Sequence, residues 1–483
     1  MPEFHVEHFG CRAARADGEA VGGHLRAAGF GESHPAAADV VVVNACSVTA
    51  EADRAARAFI RRTHRLNPDA RIVVTGCYAQ RAPEELAAMA GVAAVVGNSH
   101  KALAPEIILG LACQANPIGN TAAAAPTNLV SLHSLLASGT PSTTPIWADD
   151  RFAHSFIEQA QLVPGEQTRP NLKIQEGCGN RCTFCVIPQT RGSSRSLPLA
   201  TVLRKVEGFV SAGGNELVLS GINLGRWGRE LPASDATPSL TLATLVRRIF
   251  RETELPRLRL SSIEPMDCDA DLIAVMAEFG GIRLARHAHL PLQSGSDAVL
   301  RRMHRRYRPW HYAEKVEAIR QVAGPALTLG ADVMVGFPGE TDAEFEETLD
   351  LVRALRFGYL HLFPFSPRPG TRGFALHAAS PVPPHVVNER MATLRALAAE
   401  KCEAHRSQFI GQELEAITLH TPAPLAELGR TSALTENFVP VEINHRLPAN
   451  RLVRIRVIGL DPEGALIAHE ARIALPSPVA AFH

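Results

Sequence analysis

Over its first hundred residues the chain alternates two periodicities. Short apolar runs, "HVEHFGC", "DVVVVNACSV", "RIVVTGCY" and "AAVVGN", read as strands, and Ala/Arg-rich stretches such as "EADRAARAFIRRTHRL" between them read as helices. The pattern predicts a small parallel α/β domain over residues 1–112. Residues 113–150 are rich in Ala, Thr, Ser, Pro and Gly, and 113–167 read as a linker or mobile insertion. From 168 a second series of apolar runs appears: "NLKIQE", "ELVLSG", "RLRLSS", "RHAHLPL", "LTLGADVMVGF" and "YLHLFPFS". Helical stretches such as "DAEFEETLDLVRALR" separate them. Six βα units predict a parallel sheet curved into a partial (β/α)6 barrel, and 168–405 form this core. The tail, 406–483, changes character again. There "LEAITLH", "FVPVEIN", "RLVRIRVIGL" and "ALIAHEARI" alternate with turns, as in a small β-barrel.

Length and composition agree with this division. A chain of 483 residues, 46% hydrophobic, builds two or three cores. Lys plus Arg balance Asp plus Glu, 49 against 49, so any nucleic-acid surface must be a local patch. The start "MPEFHVEHFG" is charged, and no stretch reaches the ~18 apolar residues of a membrane span. A cytoplasmic protein with no membrane partner is expected. Its nine cysteines should then be reduced, which favours metal ligation or catalysis over disulfides.

Six of those cysteines form two trios. Cys11, Cys46 and Cys77 close three of the four N-terminal strand runs. Parallel strands end on one edge, where α/β proteins place their sites, so these residues should converge despite spacings of 35 and 31. A single such cysteine would be packing, whereas three at matching strand ends favour a site. The second trio lies in "KIQEGCGNRCTFCVIPQTRG", where Cys178, Cys182 and Cys185 follow the first barrel strand as CxxxCxxC. Structural zinc closes its shell with four ligands, and no fourth Cys or His stands at the expected spacing. A [4Fe–4S] cubane on three thiolates leaves one iron open for a substrate or cofactor. Glu176, Ser220 with Asn223, Ser262 with Glu264, Gln293 with Ser294, and Ser366 also follow the barrel strands and mark its functional end. A zinc-bound, non-catalytic RNA-binding protein is the alternative, and metal analysis separates the two.

"GCGNRCTFC" on the first strand of a partial barrel resembles the radical S-adenosylmethionine (SAM) enzymes. The resemblance implies that Cys178, Cys182 and Cys185 hold a [4Fe–4S] cluster whose open iron binds SAM, with Phe184 near the adenine. It also implies that "SAGGNELVLSG" is the Gly-rich segment after the second strand, with Gly213 and Gly214 near the SAM amino group. Ser262, Glu264, Gln293 and Arg195 are further candidate SAM contacts, and Arg191 is a candidate for SAM or substrate. "FGC…VVNACSVT…VVTGCY", "HLPLQSGSD", "DVMVGFPGET" and "FPFSPRPGT" extend the likeness to nearly the whole chain and resemble the methylthiotransferases. That family implies a second [4Fe–4S] cluster on Cys11, Cys46 and Cys77 for the sulfur to be inserted, and a C-terminal RNA-binding barrel called TRAM. It further implies tRNA, through the anticodon loop, with an external electron donor and a sulfur donor as partners.

Within the family, "IPQTRGSSRS" and "SGINLGRWG" resemble the type acting on N6-threonylcarbamoyladenosine at position 37 of tRNA. An aspartate of a small-subunit ribosomal protein and N6-isopentenyladenosine in tRNA stay open as substrates. The segment "LRRMHRRYRPWHY" offers Arg301, Arg302, Arg305, Arg306 and Arg308 with Tyr307 and Trp310, suited to phosphate contact and base stacking or to a solvated helix face. From residue 406 onward there are seven Arg, no Lys and eight acids, leaving "RLVRIR" as a local basic patch. Cys113, Cys268 and Cys402 match no motif and read as packing or free thiols.

Overall fold

A computed structural model of the chain describes residues 1–113, 144–154, 156, 162, 169–232, 240–461 and 464–471. They form two compact units, Met1–Ala160 with Val186–Gly192, and Gln161–Cys185 with Ser193–His483. Residues 114–143 of the expected linker lie outside the described residues. Among the described residues no helix is long and apolar enough to cross a membrane.

The first unit is a parallel sheet of β1 (Glu3–His8), β2 (Gly31–Glu32), β3 (Val40–Ala45), β4 (Arg71–Gly76), β5 (Val92–Gly97) and β6 (Ile146–Trp147), in the order β2-β1-β3-β4-β5-β6. All six residues of β3 are buried because helices cover both faces of the sheet. Val41, Val43, Ile72 and Val74 pack on Ala56, Phe59 and Ile60 of the helix Ala50–Leu66. Val40, Val42 and Val73 pack on the other side against Ala20, Val21 and Leu25 of the helix Arg12–Ala27. Thr49 starts the former helix by accepting a hydrogen bond from the Ala52 amide at 3.2 Å, a cap that contributes about 1 kcal/mol. Strand β6 corrects the sequence reading, which assigns 144–150 to the linker. Trp147 packs on the core and Gln80 Nε2 donates to the Asp149 carbonyl at 2.7 Å, which hold this segment on the sheet.

In the second unit β7 (Asn171–Glu176), β8 (Arg195–Ser196), β9 (Glu216–Gly221) and β10 (Arg257–Leu260) lie in the order β10-β9-β7-β8. Strands β11 (His287–His289), β12 (Thr328–Val335) and β13 (Tyr359–Pro364) follow. A bridge from Leu258 to Leu284 and the Ile263 amide bond to the His289 carbonyl at 3.0 Å join the two sheets. The six βα strands thus curve as one partial barrel, with the two-residue β8 added antiparallel on β7. One face of the strands is apolar, with Leu329, Ala331, Val333 and Val335 wholly buried. The other carries Lys173, Glu216, Arg259, His287, His289, Asp332, Tyr359 and His361.

The tail folds into a closed barrel of β14 (Glu413–Thr418), β15 (Thr431–Thr435), β16 (Pro440–Ile443), β17 (Leu452–Leu460) and β18 (Leu466–Glu470). The sequence predicts four of these strands. "TSALT", the fifth, has only two large or small apolar positions among hydroxyls, too little periodicity to stand out. The turn between β15 and β16 closes the N-terminal end of the larger barrel. Phe438 lies 4.3 Å from His287, 5.5 Å from Tyr359 and 5.2 Å from the Arg259 guanidinium, ring centroid distances that put three strands around one side chain. The polar face is therefore the concave one.

Candidate metal centres

In the first unit the switch from β2-β1 to β1-β3 leaves a crevice at the strand C-termini, and the first trio stands there. Cys11 is the N-cap of the helix after β1, Cys46 follows β3 directly, and Cys77 follows β4 directly. Cys46 and Cys77 are buried and Cys11 is exposed. Gly10, at φ +123°, lets the β1 loop approach, since a Cβ there would stand 2.3 Å from Cys46 Cβ and 2.9 Å from its Sγ. If this trio holds a metal, Gly10→Ala is expected to lower its retention at least about tenfold without unfolding the unit, measured as metal content after a mild chelator wash.

The sulfurs of Cys46 and Cys77 are already hydrogen-bonded. The Val48 amide donates to Cys46 Sγ at 3.4 Å, and Asn98 Nδ2 donates to Cys77 Sγ at 3.4 Å. Arg191 Nε donates to Cys77 Sγ at 3.3 Å while its NH1 holds Asp17 at 3.1 Å, and Lys101 Nζ holds the same carboxylate at 2.9 Å. Burial, then the neighbouring Cys77 and Cys11 sulfurs, push the Cys46 thiol up to about 12. Three sulfurs that repel one another's charge want a cationic centre among them.

In the second unit the positive φ of Gly177 opens the loop after β7 that carries the other trio. Thr183 pins the loop: its amide donates to the Met303 carbonyl, its hydroxyl to the Arg302 carbonyl, both at 3.0 Å, and its own carbonyl accepts from Gly373 at 2.7 Å. Cys178 Sγ accepts from the Asn180 amide at 3.4 Å and from Asn223 Nδ2 at 3.8 Å. Arg305 NH1 donates to Cys182 Sγ at 3.3 Å, and its NH2 donates to Glu264 at 2.7 Å. Burial, more than the neighbouring Cys182, raises the Cys178 thiol. A cavity of about 290 Å³ opens beside the loop, lined by Arg181, Cys182, Arg226, Glu264, Arg305 and Arg306 among others.

Among the described residues, three ligand atoms all within 4.8 Å of one another occur only at His289, Asp332 and His361. Neither cysteine trio has closed to the ~3.8 Å sulfur spacing that ~2.3 Å bonds to one zinc ion require. Open trios whose sulfurs meet N–H donors fit clusters that place each thiolate on a different iron.

Other sequence-predicted residues fall into place or out of it. Glu264, Asn223 and half-buried Phe184 belong to the second centre. Ser262 follows β10 at the same end, and Gln293, at φ +66°, donates its amide to the Asp332 carbonyl at 2.7 Å. Arg195 lies on β8, opposite Glu176. Gly213 and Gly214 are a correction: they precede β9, at the strand end opposite the cysteine loop. Gly213 caps a helix at φ +84° and its carbonyl accepts from Asn450, while a Cβ on Gly214 would strike the Phe209 ring at 2.2 Å. Arg191 is likewise corrected, because the first unit buries it on Cys77.

The basic segment also reads differently in three dimensions. Arg301 and Arg308 pair with Asp297, Arg302 with Glu344, Arg305 with Glu264 and Arg306 with Asp267. Tyr307 is buried, its one hydroxyl proton lying between the Pro291 and Leu292 carbonyls, 2.7 and 2.8 Å from the oxygen, so Trp310 alone of the two aromatics is exposed. On β17, Arg454 and Arg456 stand opposite Glu415 and Glu413, which offsets the expected basic patch. Sequence reasoning misses Asn98, although it directly follows β5 and so shares the edge of the first trio. Cys268 is buried and Cys402 half-buried, consistent with packing.

Two family models match the chain: "Uncharacterized protein family UPF0004" over residues 3–97 and "Radical SAM superfamily" over 172–352. The Bacillus subtilis protein named threonylcarbamoyladenosine tRNA methylthiotransferase MtaB is 34% identical over 91% of this chain and 89% of its own length. The Treponema pallidum protein of the same name is 32% identical over 97% of this chain and 100% of its own. A tRNA-2-methylthio-N(6)-dimethylallyladenosine synthase from Acidothermus cellulolyticus is 32% identical over 95% of this chain and 84% of its own.

Proposed function

Because the chain belongs to the radical SAM methylthiotransferases, we propose that it inserts a methylthio group at C2 of N6-threonylcarbamoyladenosine at position 37 of tRNA. The product is 2-methylthio-N6-threonylcarbamoyladenosine. The observation that carries this reading is a pair of three-cysteine centres, one in each unit, with N–H donors on their sulfurs. Cys178, Cys182 and Cys185 would hold one [4Fe–4S] cluster, and Cys11, Cys46 and Cys77 the other. When bound, the clusters and SAM supply a methyl donor, an organic radical that cleaves an unreactive C–H bond, and the sulfur itself.

The chain's own residues hold and orient. Arg305 and Asn223 fix the sulfurs of Cys182 and Cys178, while Asn98 and Arg191 fix that of Cys77. Arg181, Arg226 and Arg306 offer a carboxylate partners in the cavity, and Glu264 offers one to an ammonium. Those are the two charges of an amino-acid moiety such as that of SAM. The five-stranded barrel serves as the RNA-binding TRAM module, in the cytoplasm, with an external electron donor and a sulfur donor.

Nucleoside mass spectrometry of tRNA from a strain lacking the gene tests the substrate. The expected result is loss of 2-methylthio-N6-threonylcarbamoyladenosine with accumulation of its unthiolated parent, restored by the wild-type gene. Unchanged levels overturn the assignment, and loss of the methylthiolated isopentenyl nucleoside instead transfers it to the other tRNA type.

A further inference from the structure

The concave face of the larger barrel carries a cluster that neither cysteine trio uses. His289 on β11, Asp332 on β12 and His361 on β13 stand on three adjacent strands. His289 Nε2 is 3.2 Å and His361 Nδ1 3.3 Å from the same oxygen, Asp332 Oδ1. Register sets this geometry. Asp332 is paired with His361, and His289 with Gly330, two residues before Asp332 on the same face.

Gly330 makes room for the partner that orients His289. A Cβ at Gly330 would stand 2.0 Å from the Tyr359 ring, whose hydroxyl lies 3.0 Å from His289 Nδ1 and 2.8 Å from His287 Nε2. A phenol has one hydrogen, so between two imidazole nitrogens it donates to one and accepts from the other. When it accepts from His289 Nδ1, the Nε2 lone pair points at Asp332, as a metal ligand requires. Two imidazoles and one carboxylate on one face are a donor set for divalent first-row cations. Side-chain exposure rises from 9% at His289 through 26% at Asp332 to 64% at His361, which leaves an entry path and open coordination positions.

We infer that His289, Asp332 and His361 form a third metal centre, which binds a divalent first-row transition cation and ties the edge strand β13 to β11 and β12. This inference stands apart from the methylthiotransferase reading. The test uses the full chain with both clusters reconstituted and oxidised, freed of loose cations by a chelator and titrated with Mn2+. Free Mn2+ is read by its solution EPR signal, and this cation leaves iron on thiolates in place. One Mn2+ per chain is expected, displaced by an equivalent of Zn2+. Asp332→Asn and His361→Ala should each weaken binding by at least about tenfold with iron content unchanged. If Asp332→Asn loses iron, His361→Ala, on the exposed edge strand, decides alone. Absence of stoichiometric Mn2+ and Zn2+ uptake, or equal uptake by wild type and His361→Ala, overturns the centre and leaves a hydrogen-bonded network.

Discussion

Alanine at Cys178, Cys182 or Cys185 is expected to lower methylthiolation by more than about a thousandfold, over about 4 kcal/mol of barrier, while the protein keeps about half its iron. Two cubanes bring about eight irons per chain, and losing one leaves about four. The loop is pinned by Thr183 to Arg302, Met303 and Gly373, contacts that no cysteine substitution touches. The fold therefore survives and the loss is local. Cys46→Ala is the complement: about four irons again, SAM cleavage to 5′-deoxyadenosine retained, methylthio product absent. Iron analysis with product and 5′-deoxyadenosine assays reads both. Full iron in the Cys178→Ala protein, or SAM cleavage lost equally from both variants, would refute the division of labour between the trios.

Glu216→Gln is expected to destabilise the second unit by about 3–5 kcal/mol, the usual consequence of breaking a buried charge pair from one side. Glu216 is wholly buried on β9, with Arg259 Nε at 3.0 Å, Arg257 at 3.5 Å and Arg169 at 3.8 Å. Arg257 and Arg259 are themselves almost wholly buried; Arg257 keeps Glu415, but the amide takes from Arg259 the carboxylate it is paired with. Burial alone would raise the Glu216 carboxyl, but the arginines, Arg259 foremost, hold it below the usual carboxylate range. The sign follows. A depressed folded pKa adds stability above the unfolded value near 4.5, and that stability is lost as pH falls from there through the folded value. Denaturant midpoints at pH 7 and across pH 5 to 3 should show a wild-type slope that the Gln variant lacks. Equal midpoints at pH 7 would show that Glu216 does not neutralise this cluster.

The second trio was legible in its CxxxCxxC spacing alone, and the first because a parallel sheet obeys one rule: its strands end together. Cys46 and Cys77 follow β3 and β4 without a gap, and Cys11 follows β1 by three residues, so strand runs alone predicted their meeting. The donors to those sulfurs were harder to see. Arg191 and Arg305 sit in segments where arginine equally suits solvent or phosphate, and only folding shows them turned inward on Cys77 and Cys182. The Gly213–Gly214 error has a simple cause. A helix C-cap and a ligand-cradling turn use the same glycine pair, and what separates them is which end of β9 it occupies. Strand β6 was missed because two residues carry no periodicity, and its place is set by Trp147 packing.

Phe438 gives the C-terminal barrel a structural duty of its own. Its turn is a stopper: Arg259 NH2 donates to the Thr435 carbonyl at 3.3 Å, Asn437 donates to the Ala326 carbonyl at 2.8 Å, and Glu436 takes the Arg286 amide at 3.0 Å. Cutting the chain after the long helix that ends at Ser407 would uncork the catalytic tube and wet Arg259 and His287 from below. A chimera that exchanges the tail between relatives must therefore carry both halves of this joint, the turn and the strand ends it seals.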